Sequence, residues 1–289
     1  MKGKFFKLGL TGWPLGHSFS PAIHKAALAA ADLSGSYDLY PAAPLPEGEQ
    51  ALGALLGRMR QGEIDGLNVT IPHKQAVIAY VDALSPAAEA AGAVNTLTMK
   101  NGKLTGENTD AAGFSRDLEA KFHLAPGTAL ILGAGGSARA VVYALVSAGW
   151  SVRLAARREA QARELAAWFS PLAEQHHTRL DTAGLSAQAL SAAGESWDLI
   201  VNTTPLGMHP NIGISPFPLP MEDFRGTAVY DLIYNPIETE FVQQAKACGC
   251  PAVGGLGMLV EQAALAFNLW TGAEAQRDAI YASIQEGIN

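Results

Sequence analysis

The sequence predicts an α/β fold in two domains with a cleft between them: an N-terminal α/β domain and a second domain built on a parallel βαβ unit. Three observations predict it. Strand and helix signals alternate through the first hundred residues. After Phe122 the composition changes, and the near-continuous apolar run "ALIL" leads straight into glycines and an alanine- and valine-rich helix, as a strand buried on both faces would. The chain has 289 residues, enough for two domains of ordinary size.

In order, "FFKLGLTG" reads as a strand ended by Gly12. "SPAIHKAALAAADL" reads as a helix with a proline near its start. "SYDLYPA" is a strand, "EGEQALGALLGRMR" a helix, "IDGLNVTI" a strand and "PHKQAVIAYVDAL" the next helix, with Pro72 placed to begin it. "VNTLTMK", the turn "NG" and "KLTGEN" form a hairpin. The first unit is therefore expected to be mostly parallel with an antiparallel edge. "PGTALILGAGGSARAVVYALVSAGWSVRLAARR" is the βαβ unit, and a helical region follows it. "WDLIVNTT" and "AVYDLIY" are further strands. The proline- and glycine-rich "GMHPNIGISPFPLPMEDF" reads as a surface loop. "GLGMLVEQAALAFNLWTG" is a long apolar helix and "EAQRDAIYASI" a shorter one. The domain boundary is expected between Asp110 and Lys121.

Composition narrows the function. Hydrophobic residues make up 48% and charged residues 16%, and the formal net charge is −7, with no basic block to grip a phosphate backbone. Nucleic acid is a poor partner for such a chain. No apolar stretch reaches membrane-spanning length, and the N-terminus lacks a signal-peptide core. Cys248 and Cys250 match neither a disulfide framework nor a zinc signature, so the thiols read as reduced and structural. His73, His176 and His177 lack a ligand set, and no metal is expected. A cytoplasmic protein fits these features.

"LGAGGSARA" carries the first chemical signal. Gly133 turns the chain out of the strand, Ala134 follows, and Gly135 lets the backbone approach a ligand. Gly136 and Ser137 open a helix whose free N–H groups suit a phosphate. Ala138 stands where the dinucleotide fingerprint has its third glycine, a tolerated replacement. The domain is therefore expected to be of Rossmann type. An NAD site would place a carboxylate at the tip of the second strand. Here Arg157 and Arg158 stand there, and planar guanidinium groups pair a 2′-phosphate, so NADP is favoured.

The first part of the chain supplies neutral polar groups that suit a polyhydroxylated small molecule. In extended backbone Ser18 and Ser20 of "GHSFSP" point the same way, and Asn68 and Thr70 of "NVT" repeat the arrangement. Asn95 stands in "GAVNT" and Asp110 in "GENTD". Taken singly, each has a capping or turn role as its plain explanation. Lys74 and Asp110 are the ionisable pair on separate segments. A lysine beside a carboxylate can deliver a proton to a developing alkoxide and stabilise its charge.

Together, "GHSFSP", "NVTIPHK", "GAVNT", "GENTD", "GAGGSARA", "NTTPLGM", "DLIYNPIETEF" and "GLGMLVEQAALAF" resemble the motifs of the shikimate dehydrogenase family, in order and over nearly the whole chain. The resemblance implies reversible NADPH-dependent reduction of 3-dehydroshikimate to shikimate in the chorismate and aromatic amino acid pathway. It implies that Ser18 and Ser20 bind the substrate carboxylate with Tyr234 near it, that Thr70, Asn95, Asp110 and Gln262 hold other groups of the ring, and that Lys74 and Asp110 are the catalytic pair. At the cofactor it implies the loop from Gly133 to Ala138, Arg157, Arg158, Thr203, Leu232, Gly255 and Met258, the last two near the nicotinamide. It implies a substrate domain of residues 1–112 completed by helices in 256–289, an NADP domain of 113–255, and a monomer or homodimer acting on small molecules. One departure stands out: the family often has asparagine, arginine and a hydroxyl residue where this chain has Ala156, Arg157 and Arg158. A quinate or dual quinate/shikimate dehydrogenase using NAD or NADP is the close alternative, and a non-catalytic dinucleotide-binding sensor is the alternative of another class.

Overall fold

The computed structural model describes residues 3–16, 18–192 and 196–288. The chain divides into two compact units, one of Met1–Gly113 with Val260–Asn289 and the other of Phe114–Leu259. Both divisions fall inside helices, α5 (Asp110–Phe122) and α10 (Leu256–Thr271).

The first unit holds β1 (Phe5–Gly12), α1 (Ser20–Ala30), β2 (Ser34–Pro41), α2 (Glu49–Arg60), β3 (Gly66–Val69), α3 (His73–Ala76), β4 (Ala83–Leu84), α4 (Pro86–Ala91), β5 (Thr96–Lys100) and β6 (Lys103–Glu107). Its sheet runs in the order β2-β1-β3-β5-β6-β4. Only β5 is antiparallel to its neighbours, and it lies inside the sheet, not at an edge as the hairpin suggested. The hairpin turns at Asn101 and Gly102 with φ of 52° and 75°, the paired positive values that asparagine and glycine tolerate.

The helix expected over "PHKQAVIAYVDAL" forms only at its start. Pro72 is the N-cap, α3 lasts four residues, a 3₁₀ turn covers Val77–Tyr80, and the chain then becomes β4. Three β-branched residues, Val77, Ile78 and Val81, disfavour helix. Pairing with β6 wins, because Asp82 N donates to Leu104 O at 2.8 Å. Helix α4 was not evident from its six residues, yet Ser85 caps its start by accepting from Ala88 N at 3.3 Å, and Gly92 closes it at φ 60°.

The C-terminal helices belong to this unit from Val260 on. Helix α11 (Arg277–Ile288) packs on α1, where Gln276 Nε2 donates to Ala30 O at 2.8 Å. Trp270 of α10 is a core residue whose Nε1 donates to Leu97 O at 2.9 Å. Its indole lies where a Cβ at position 66 would go, so β3 needs Gly66.

The second unit contains β7 (Thr128–Leu132), α6 (Gly136–Ser147), β8 (Ser151–Ala156), α7 (Glu159–Gln175), β9 (Leu180–Gly184), α8 (Ala187–Ala192), β10 (Leu199–Asn202), β11 (Ala228–Asp231), α9 (Glu240–Ala247) and β12 (Ala252–Val253). Its strands are all parallel, in the order β12-β11-β10-β7-β8-β9. Counted from β7, that is the 3-2-1-4-5-6 order of a doubly wound dinucleotide-binding sheet. Strands β10 and β11 are buried along their whole length, as parallel strands covered on both faces must be. The segment "GMHPNIGISPFPLPMEDF" is not purely a surface loop: Phe217 and Met221 are buried in the core with Trp197 and Phe241. Among the described residues, no helix is long and apolar enough to cross a membrane.

Candidate active site

In the first unit, the end of β3 sets the site. Thr70 N donates to Thr11 O at 2.9 Å and His73 N to Thr70 O at 2.9 Å, which turns the chain directly after the strand. His73 is a core residue, its Nε2 2.9 Å from Ala42 O. Lys74 is tied to the neighbouring segment through its own carbonyl, which accepts from Val94 N at 2.7 Å. Thr70 is left half-buried and Lys74 points inward.

Lys74 Nζ meets Asp110 Oδ2 at 2.7 Å, with side-chain exposures of only 13% and 7%. Asp110 opens α5, where a carboxylate favours the positive end of the helix dipole. Its other oxygen, Oδ1, accepts from Asn95 Nδ2 at 2.8 Å. Asn95 Oδ1 accepts from Thr109 N at 2.8 Å, and Gln262 Oε1 lies 3.4 Å from Asn95 Nδ2. Lys74, Asp110, Asn95 and Gln262 thus form one connected group, assembled from α3, α5, the entry to β5 and α10. Both carboxylate oxygens face N–H donors, the arrangement an ionised carboxyl requires.

The serine pair is built differently from the expected extended segment. Ser20 starts α1, and Phe19 before it is already in helical conformation. The two hydroxyls still meet, 3.1 Å apart, because the Ser20 amide also donates to Ser18 Oγ at 3.2 Å. No hydrogen bond joins this pair to the lysine group among the described residues. His17 of "GHSFSP" lies outside the described residues. Asn68 does not share a ligand-facing side with Thr70. It is buried, its Oδ1 accepting from Tyr37 Oη at 2.8 Å.

In the second unit, Gly133 leaves β7 at φ 112°, a conformation that favours glycine, and donates to Ala155 O at 2.8 Å. Thr203 Oγ1 occupies the space a side chain at 133 would need, and donates to Leu132 O at 2.7 Å. Gly135 is the N-cap of the twelve-residue α6. No side chain caps it, and a Cβ there would meet nothing within 4 Å. Helix amides open to approach in this way fit a dinucleotide's phosphates. Ala134 and Ser137 lie in the same turn, and Ala138 is fully buried behind it. Arg157 and Arg158 follow β8 directly and are exposed, with no carboxylate partner among the described residues, which leaves both forks available to a phosphate. At the other side of the sheet Gly255 N donates to Ile233 O at 2.8 Å, and the Leu232 backbone fills the position of a Cβ at 255. Met258 is buried and Tyr234 half-buried.

Family models for the shikimate dehydrogenase substrate binding domain and the shikimate 5′-dehydrogenase C-terminal domain match residues 10–97 and 255–285. The NADP(+) shikimate dehydrogenase of Moorella thermoacetica is 45% identical over 273 residues, covering 93% of this chain and 88% of its own. The chain belongs to the shikimate dehydrogenase family. Its fold also matches the crystal structure of the Thermus thermophilus shikimate 5-dehydrogenase in complex with NADP(H) and shikimate. That match has a TM-score of 0.82 and 38% identity over 97% of this chain and 99% of the other. Quinate dehydrogenase from Corynebacterium glutamicum, in complex with NAD, matches at a TM-score of 0.85 and 32% identity, over 98% of this chain and all of the other.

One polar cluster was not singled out from the sequence. Asp231 at the end of β11 accepts from Asn202 Nδ2 at 2.8 Å, Ile233 N at 3.0 Å and Thr239 Oγ1 at 2.6 Å. Asn202 in turn shapes the turn after β10, accepting from Thr204 N at 2.9 Å and donating to Leu206 O at 3.2 Å. Burial pushes the Asp231 carboxyl up to about 6, against the pull of Thr239, the Ile233 amide and Asn202. The available signal was a polar residue closing each of two fully apolar strands, "LIVN" and "AVYD".

Proposed function

We infer that this chain catalyses the reversible NADPH-dependent reduction of 3-dehydroshikimate to shikimate in the route to chorismate and the aromatic amino acids. The observation that carries the reading is the buried Lys74–Asp110 contact at 2.7 Å, joined to Asn95 and Gln262, in a chain with an open-ended dinucleotide loop. The N-terminal domain with the last helices serves the substrate and the parallel-sheet domain serves NADP. The reaction belongs to the cytoplasm and involves small molecules only, with the chain a monomer or homodimer.

When bound, NADPH supplies the hydride that reaches the ring carbonyl carbon. Lys74 gives a proton from Nζ to the carbonyl oxygen as the alkoxide develops, and its ammonium stabilises that charge. Asp110 faces an N–H of Lys74 with one oxygen and an N–H of Asn95 with the other. It orients the lysine and receives no proton in this step. In the reverse direction neutral Lys74 accepts the hydroxyl proton. Ser18 and Ser20 hold the substrate carboxylate with Tyr234 beside it, while Thr70, Asn95 and Gln262 hold ring hydroxyls. The N–H groups from Gly133 to Ala138 receive the pyrophosphate, Arg157 and Arg158 the 2′-phosphate, and Thr203, Leu232, Gly255 and Met258 border the nicotinamide side.

Steady-state kcat/KM for shikimate and quinate, each with NADP+ and NAD+, tests this reading. Shikimate with NADP+ should be the best pair by at least about tenfold, the scale one pocket contact can set. Higher efficiency with quinate or with NAD+ would refute it.

A further inference from the structure

We propose that Asn68 and Thr96 are positioning residues: the buried line Tyr37–Asn68–Thr96–Asn95 sets the orientation of Asp110 against Lys74. The proposal rests on the reading of Lys74 and Asp110 as the catalytic pair.

Most of the hydrogen-bond directions in this line follow from groups that have no choice, the Thr96 hydroxyl excepted. The Asn95 backbone carbonyl can only accept, and it lies 3.3 Å from the Asn68 side-chain amide, so the Asn68 nitrogen faces it. The Asn68 oxygen then faces Tyr37 Oη, which donates at 2.8 Å. The second Asn68 hydrogen goes to Thr96 Oγ1 at 3.1 Å. Thr96 has one proton and two acceptors in reach, Asn95 Oδ1 at 3.2 Å and Thr109 Oγ1 at 3.4 Å, and we assign it to the nearer, Asn95. Thr109 N, an obligate donor, reaches the same oxygen at 2.8 Å. Asn95 is thereby held with its nitrogen toward Asp110 Oδ1 at 2.8 Å, leaving Oδ2 for Lys74. Turned the other way, Asn95 would set its oxygen against the carboxylate and its NH2 against the Thr109 amide.

Packing alone does not explain these side chains. Asn68 lies between Leu67 and Val69 on a four-residue strand buried throughout, where an apolar residue carries no desolvation cost. Thr96 is fully buried as well. The far end of the line is rigid: the Tyr37 ring stacks on His24 with centroids 4.5 Å apart and planes 5° from parallel. An anchored line that ends on the carboxylate holding the reactive lysine suits chemistry in which small displacements matter.

Thr96→Val tests the proposal, since it removes the hydroxyl and keeps the β-branched shape. In the full chain, with kcat and both KM values measured beside thermal unfolding, Thr96→Val should lower kcat about tenfold and leave KM for NADP+ within about twofold. Thr96→Ser should recover most of the loss. Tyr37→Phe cuts the line at its remote end, keeps the ring that stacks on His24, and should lower kcat by about two- to fivefold. Unchanged kcat in Thr96→Val, or in Tyr37→Phe should Thr96→Val not fold, overturns the proposal. So does a loss confined to KM for shikimate, or a serine variant no better than valine. Lys74→Ala separates the two levels. If it keeps wild-type kcat, the catalytic pair itself is wrong; if it loses activity while Thr96→Val does not, only the positioning line is wrong.

Discussion

Asp110 in the first unit and Asp231 in the second are both almost fully buried, but Asp110 faces a lysine and Asp231 faces only neutral donors. The contrast separates two uses of a buried carboxylate. Beside Lys74, the charge of Asp110 is compensated within the fold, and the lysine it orients is free to trade its proton. Asp231 has no such partner among its hydrogen bonds. It ties the end of β10 through Asn202, the backbone after β11 through Ile233, and the start of α9 through Thr239. Burial raises its pKa to about 6, and the three neutral donors offset that only in part. The first arrangement suits proton transfer, and the second suits holding loops in place.

The largest expected effect comes from making Asp110 resemble Asp231. Lys74→Ala removes the cation and leaves a buried carboxylate with a single amide donor. Loss of a positioned acid should lower kcat by about 10²–10⁴-fold, with a much smaller change in KM for shikimate. Removing one partner of a buried pair also destabilises the fold, so thermal unfolding should be followed alongside. A large KM effect with unchanged kcat would place Lys74 in binding and erase the contrast.

Cations differ between the units in the reverse sense. Lys74 is partnered inside the fold, whereas Arg157 and Arg158 are exposed and unpaired among the described residues. If they are kept for the 2′-phosphate, replacing both with alanine should raise KM for NADPH by about 10–100-fold, the value of one or two charged hydrogen bonds, and leave KM for NADH nearly unchanged. An equal rise for both cofactors would mean that the arginines do not read that phosphate.

Legibility followed the range over which each feature is determined. The turn from Gly133 to Ala138 was readable because strand, glycines and helix start are contiguous, and the "NG" hairpin because two residues decide it. The segment from His73 to Leu84 misled because its apolar spacing fits a helix, while pairing with β6 is settled by Leu104, a residue remote in sequence. The short β12 and the six-residue α4 and α8 gave no period long enough to see. Lys74 and Asp110 are 36 residues apart, so no local pattern links them. Their residue types suggested a pair and the family resemblance named one, but their contact is a property of the fold. The same holds for Asn68, whose partner Tyr37 is 31 residues away, and for Asp231, whose partner Asn202 is 29 away. Polar residues inside apolar strands were visible throughout, and what they bind was not.

The smallest effect tests the contrast from the Asp231 side. In Asp231→Asn, one side-chain oxygen can keep the bonds from Asn202 and Ile233, and Thr239 can reverse its hydroxyl to accept from the new amide, so the loops stay tied and activity near neutral pH should change by less than about threefold. Stability should respond to pH instead. The folded pKa of about 6 lies above the ordinary 3.8, so the stabilising contribution is full below about pH 4 and is lost as pH rises through 6. The wild-type minus variant difference in unfolding free energy should therefore fall by roughly 2–3 kcal/mol between pH 4 and pH 7 and then level off, as a shift of about two units requires. Urea unfolding at a series of pH values measures it. A difference that stays flat across this window would mean that neutral donors compensate Asp231 as fully as a cation would, and the distinction between the two carboxylates would fall.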